Sequence, residues 1–258
     1  AAPAAALPPG APPPGDMIFP EVRFTSPAPV RFELANGLVV YFLEDPSLPL
    51  VELTALVRAG AIHEPAGKAG LAALAGEVMR SGGTAARSPD SLNAELENMA
   101  SVVETSIGTE RATATVSALA RHFPATLAIL ADLLRDPAFH EEKLEIARGR
   151  AIEAVRRQND DPLEIADREF AALLYPGHPY GRTATIQTLG AITREDLVAF
   201  HRRLFHSEGT ILAVSGAVSE EEVRRAIQEA RVQGQQLIDQ ARQTGERLVA
   251  EAREEARR

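Results

Sequence analysis

From Arg31 to Val218 the chain switches repeatedly between two hydrophobic periods, and this alternation limits the fold more than any other feature. Leu50–Gly60 (LVELTALVRAG) has Val51, Leu53, Ala55 and Val57 at every second position, the pattern of a strand with one buried face. Arg31–Asp45 (RFELANGLVVYFLED) holds two short strand-like runs around Asn36-Gly37, a dipeptide that accepts the positive φ of a hairpin turn. KAGLAALAGEVMRSGG then reads as a helix stopped by Gly82-Gly83. Ser88-Pro89-Asp90 opens another helix, to about Met99, with Pro in its first turn. SVVETSIG and RATATVSAL, joined near Gly108–Glu110, read as a second hairpin. Helices are expected at about 121–135, 140–158, 162–175 and 193–205, separated by Pro137 and by Asn159-Asp160-Asp161-Pro162. GTILAVSGAV (Gly209–Val218) supplies a last buried strand. This order predicts an α+β fold, a mainly antiparallel sheet with helices packed on one face. The expected core includes Val51, Leu53, Val57, Leu71, Leu74, Ile129, Leu130, Leu133, Leu212 and Val214.

The two ends are of different material. Half of the 18 prolines precede Val30. Sequence of that kind cannot build a core and favours extended polyproline II. Residues 1–21 are therefore expected to be a disordered arm, 22–230 the folded domain and 231–258 a polar helical tail. No basic segment followed by an apolar run stands at the start. The chain then reads as a mature exported, periplasmic protein whose leader has been removed, or as a shortened chain. At the other end, 223–233, 234–244 and 245–255 align at a period of eleven. Ala230, Ala241 and Ala252 coincide, as do Ile227, Ile238 and Val249. Eleven residues over three turns hold one stripe on one side of a helix. The stripe implies helix pairing through 223–255, or else a solvated helix or a segment foreign to the domain. The segment is similar to the stalk helices of ATP synthase b-type subunits.

Composition narrows the chemistry. The formal charge is −9, which argues against a nucleic-acid partner. No apolar run approaches the roughly 18 residues of a membrane span. Cysteine is absent, so disulfides, thiolate nucleophiles and cysteine-held metals are excluded. A zinc helix needs two His one turn apart with a Glu base. His63, His122, His140, His178, His201 and His206 contain no pair three or four apart. His201 and His206 diverge by about 140° on a helix. A site gathered from distant loops stays open. There is no Gly-x-Ser-x-Gly elbow and no phosphate loop. Glu77, on an otherwise apolar helix with Leu71, Leu74 and Val78, is either a buried acid or a helix-end Glu near solvent.

A set of segments is more specific. AGAIHEPAGKAGLAALAGEVMRSGGTAARS, with Glu64-Pro65, Lys68, Gly70-Leu71-Ala72 and Gly83-Thr84, resembles the first motif region of the insulinase/pitrilysin peptidases, the family of mitochondrial processing peptidase. AIEAVRRQNDDPLEIADREF, YPGHPYGRTATIQTL and ITREDLVAFHRRLFHSEGTILAVSGAVS follow the family's later helix, its His-Pro-Tyr-Gly segment and its closing helix and strand. The resemblance covers about 22–230, one family repeat; a second repeat, with its distal Arg/Tyr substrate-binding elements, has no counterpart. It implies a zinc metallopeptidase fold and an inverted His-x-x-Glu-His motif after Gly-Leu-Ala. Those places hold Ala73 and Glu77 for the two His ligands and Gly76 for the base. The third ligand falls at Ala154, beside Glu153.

The residues therefore point to no catalytic side chain, no metal ligand and no cofactor of this chain's own. Many members of that family are pairs of one catalytic and one degenerate subunit. The resemblance implies a non-catalytic domain that assists peptide binding or proteolysis with a catalytic paralogue. Two alternatives stand: an active zinc metalloendopeptidase with an atypical site, and an oligomerising interaction module. For substrate contact the resemblance singles out His178, Tyr180 and Arg182. The competing expectation is that Pro179 fixes the turn and Tyr180 caps the core.

Overall fold

The computed structural model describes residues 25–232 and Gln236. The expected arm, and the repeat beyond Val232 apart from Gln236, lie outside the described residues.

The Asn36-Gly37 turn forms as its sequence requires. Gly37 takes φ +78°, and Asn36 Oδ1 accepts the Leu38 N–H at 3.4 Å. The turn joins strand β1 (Val30–Glu33) to β2 (Val39–Glu44) in antiparallel register, Phe32 opposite Val40. β3 (Leu50–Val57), β4 (Val102–Ile107), β5 (Ala112–Leu119) and β6 (Thr210–Gly216) complete one six-stranded sheet in the order β1-β2-β6-β3-β5-β4. All neighbours are antiparallel except β2 and β6. That pair is parallel and is joined only by a crossover through most of the chain, as parallel pairing demands. The last strand thus enters the middle of the sheet and locks β2 to β3.

The period-two pattern divides the sheet faces. Val51, Leu53, Ala55 and Val57 are buried, with Val103, Val116, Leu212 and Val214 beside them. Tyr41, Glu52 and Ile211 face outward, and the Ser117 hydroxyl donates to Glu52 at 2.6 Å on that open face. The other side carries the helices: α1 (Leu71–Ser81), α2 (Pro89–Asn98) and α3 (Phe123–Arg135) against the sheet, then α4 (Glu141–Arg157), α6 (Ile186–Gly190) and α7 (Arg194–Leu204), and α5 (Pro162–Leu174), which buries no residue. Residues 220–232 are also helical. Starts are set by side chains that take up otherwise orphan N–H groups. Ser88, Asp161, Thr185 and Thr193 each accept from the first turn. Every expected core residue is buried. Leu53, Ile129, Leu130 and Leu133 join the cluster under β1–β6, and Leu71 and Leu74 join a second one with Phe139, Leu144 and Phe200.

Three expectations need correction. The motif helix opens at Leu71, not at Lys68, because Ala66–Lys68 forms a separate 3₁₀ turn and Gly70 reverses the chain at φ +100°. α6 escaped notice, being only five residues with a Thr185/Thr188 capping box. The first eleven-residue unit does not offer its stripe to a partner. Val223, Ala226 and Ala230 are buried, Ile227 packs on the core, and Arg135 donates to the Ala230 carbonyl at 3.1 Å. An amphipathic helix spends its apolar face on the nearest core, and here that core is the domain itself.

Candidate functional site

The segment before α1 is built around one buried acid. Glu64 accepts the Ala72 N–H at 2.7 Å and the Gly70 N–H at 3.2 Å. It therefore fills the N-terminus of α1, where orphan donors and the helix dipole favour a carboxylate. Burial nevertheless pushes its carboxyl above the ordinary glutamate range, against the pull of the two backbone donors and Arg182. Gly70 allows the approach: a Cβ there would come within 2.7 Å of Leu189. Lys68 reaches to Asp196 at 2.6 Å and to the Ala191 carbonyl. The Thr188 hydroxyl donates to the Ala69 carbonyl at 2.9 Å. The Glu64–Gly70 turn is thus clamped from the far side by residues 182–196.

α1 then runs beside edge strand β4. The Thr105 hydroxyl donates to the Gly76 carbonyl at 2.6 Å, and Arg80 Nε donates to the Val103 carbonyl at 2.7 Å. Gly76 makes this fit possible. A Cβ at that position would sit 2.6 Å from the Ile107 nitrogen and 3.0 Å from the Ser106 carbonyl carbon. Ala73 is exposed, and Glu77 is half-exposed, its carboxylate 2.9 Å from Arg150 of α4. Of the two readings of Glu77, the one near solvent is correct. Ala154 is exposed one turn beyond Arg150, and Glu153 pairs with Arg156. The four positions that the resemblance assigned to zinc chemistry therefore lie on two helices joined by an ion pair. Their side chains do not fit the metal: a methyl group, a hydrogen, another methyl group and one carboxylate already paired with a guanidinium cannot make a tetrahedral site. Among the described residues no group of three or more His, Asp or Glu is placed to hold a metal ion.

The His178-Pro179-Tyr180-Gly181-Arg182 segment is a 3₁₀ turn after α5, with His178 Nδ1 accepting the Tyr180 N–H at 3.2 Å. Tyr175, His178 and Tyr180 form an edge-to-face cluster, His178 and Tyr180 being 4.6 Å apart. Tyr180 is 37% exposed and its hydroxyl donates to Glu110, so it does not cap the core. Arg182 donates to the Glu64 carbonyl at 3.0 Å. His178 and Tyr180 stay together, whereas Arg182 turns to the motif turn. This network can brace α1 and present an aromatic surface.

The insulinase family profile (peptidase family M16) matches residues 39–186, more than half of the chain. The chain belongs to the insulinase family. An uncharacterized zinc protease of Rickettsia bellii is 23% identical over 193 residues, 74% of this chain and 47% of that protein. The mitochondrial-processing peptidase subunit beta of Bos taurus is 27% identical over 206 residues, 79% of this chain and 40% of that protein. The chain thus spans less than half the length of either. Two solved structures share the fold. The M16 inactive domain from Pseudomonas fluorescens superposes with TM-score 0.73 at 20% identity, over 78% of this chain and 50% of that one. The periplasmic protease PqqL from Escherichia coli gives 0.69 at 17%, over 80% and 24%.

Within this insulinase-type domain, three elements of the site were not foreseen. Glu64 stands in the quoted Glu-Pro, but its role as cap depends on the reversal at Gly70. The Lys68–Asp196 pair spans 128 positions, and nothing local in the sequence signals it. Gly76 stands at the motif's base position, and its contact with β4 needs the sheet register.

Proposed function

We propose that this chain is a non-catalytic insulinase-type domain that handles peptide beside a catalytic partner subunit, in an exported, periplasmic setting. One observation carries the reading: the base position of the motif is a glycine against which the backbone of β4 has closed. A glutamate could not be seated there without moving α1 from the sheet. No residue of the motif can lower the pKa of a bound water, so the step that defines a zinc peptidase has no agent here. Family membership supports the peptidase-like framework, and the bovine relative is itself named as a subunit. A matched fold described as periplasmic supports the location. The atypical-metallopeptidase alternative finds no support in the donor set, and pairing through the tail concerns residues outside the described ones.

Cleavage of a quenched fluorescent peptide library by the purified full chain, with and without chelator, tests the proposal. No chelator-sensitive cleavage is expected. Chelator-sensitive cleavage that copurifies with the chain, and is lost when Glu77 or Glu153 is replaced by Ala, overturns it.

A further inference from the structure

α5 carries the largest group of exposed apolar side chains among the described residues. Leu163 is 75% exposed, Phe170 65%, Leu173 81% and Leu174 54%, and no residue of the helix is fully buried. At about 100° per residue these four and Ala166 fall within an arc of about 100°. Ile165, Arg168 and Ala171, turned the other way, are the partly buried ones. The helix therefore points its small face at the domain and its large face at solvent. That reverses the usual economy of an amphipathic helix, and an exposed stripe of this size marks an interaction surface.

The rim of the stripe chooses the occupant. Asp167 and Glu164 flank one side of the arc and Glu169 the other, and all three are exposed. Asp160 and Asp161 precede the helix. The only cation of α5, Arg168, donates to the Gln158 carbonyl at 3.0 Å, to Asn159 Oδ1 at 2.9 Å and to Glu169 at 3.4 Å, which ties it to the turn between α4 and α5 and to one rim carboxylate. Glu164, Asp167 and Glu169 thus leave the rim of the stripe net acidic against one guanidinium, which Glu169 shares with the turn. A second copy of this chain docked face to face would set carboxylate against carboxylate, a costly arrangement. We infer that the outer face of α5 docks an amphipathic helix of a partner protein whose apolar stripe is flanked by Arg or Lys. Helix-on-helix packing matches the shape, since α5 offers a straight ridge about 20 Å long. The inference is independent of the zinc motif and would stand if this chain proved catalytic.

The test uses the full chain and a fluorescein-labelled peptide of about 18 residues, made of leucine and arginine in amphipathic order. A scrambled-order peptide of the same composition and a leucine/glutamate peptide serve as controls. Anisotropy should show binding of the ordered cationic peptide alone, weakening as salt is raised. Phe170→Ser with Leu173→Ser should weaken it by about tenfold or more. Glu164→Gln, Asp167→Asn and Glu169→Gln together should weaken it and flatten the salt dependence. Both variants alter exposed positions, so their melting temperatures should match the parent. Equal binding of the scrambled peptide, or parent-like binding by both variants, overturns the proposal. So does a parent dimer in sedimentation that dissociates in the Phe170/Leu173 variant, which would make the face a self-interface.

Discussion

Gly76 and Glu64 carry most of the argument at the scale of single residues. Gly76→Glu restores the side chain of a catalytic base and should still destabilise the protein, by about 1–3 kcal/mol, because overpacked sites must shift backbone. Ala73→His, Glu77→His and Ala154→Glu change exposed or half-exposed positions, and each should move stability by no more than about 0.5 kcal/mol. Chemical denaturation of these variants checks the contrast; equal stability would mean that α1 yields freely. Glu64→Ala leaves the Gly70 and Ala72 N–H groups without their acceptor and should cost about 1–3 kcal/mol. Glu64 also has a pH signature. Its carboxyl is raised in the folded state, so the folded protein holds the proton more tightly than the unfolded chain. This contribution to stability is largest at low pH and falls as pH rises from the usual glutamate range through the folded value. Glu64→Gln should remove that decline, measured as the denaturant midpoint against pH.

The elements follow the sequence where periodicity is local. β3 shows the closest agreement, its alternation placing Val51, Leu53, Ala55 and Val57 in the core. Leu53→Ala should therefore cost about 2–5 kcal/mol by calorimetry, and a change under about 0.5 kcal/mol would contradict the assigned face. The hairpin at Asn36-Gly37 and the stop at Gly82-Gly83 were legible for the same reason: the residue type itself sets the backbone. Elements whose fate depends on distant partners were not. The start of α1 depends on Gly70 meeting Leu189, and α6 exists through a short capping box against Ala69. The last helix looked like a free stripe because its apolar residues are small and widely spaced, yet Val223 and Ala226 complete the core. At the site, the residue types at Ala73, Gly76 and Glu77 were readable one by one. The closure of α1 on β4 and the Glu77–Arg150 pair were not, since both are set by how the sheet and α4 meet the helix.

On the scale of the whole molecule, the chain is an insulinase-type domain in which the backbone of β4 closes on Gly76 of α1. Its buried ionisable groups serve packing as well. His201 stacks on Phe205 at 4.6 Å, and its Nε2 lies 3.0 Å from the Leu134 carbonyl. Burial holds its imidazole below the ordinary value, so the neutral ring is the folded form. The stability this gives is present above a pH of about 6.5 and is lost as pH falls through the folded value. His201→Asn should lower stability at neutral pH and shrink its loss between pH 6.5 and the folded value, followed by urea unfolding. The proposal with the sharpest test is that this insulinase-type domain holds no zinc of its own. Zinc per chain, measured by mass spectrometry of the metal after dialysis of the full chain against micromolar zinc and then zinc-free buffer, tests it directly. Well below one zinc per chain, and no change in melting temperature with chelator, are expected. One retained zinc per chain, removed by chelator with a fall in melting temperature, would contradict it.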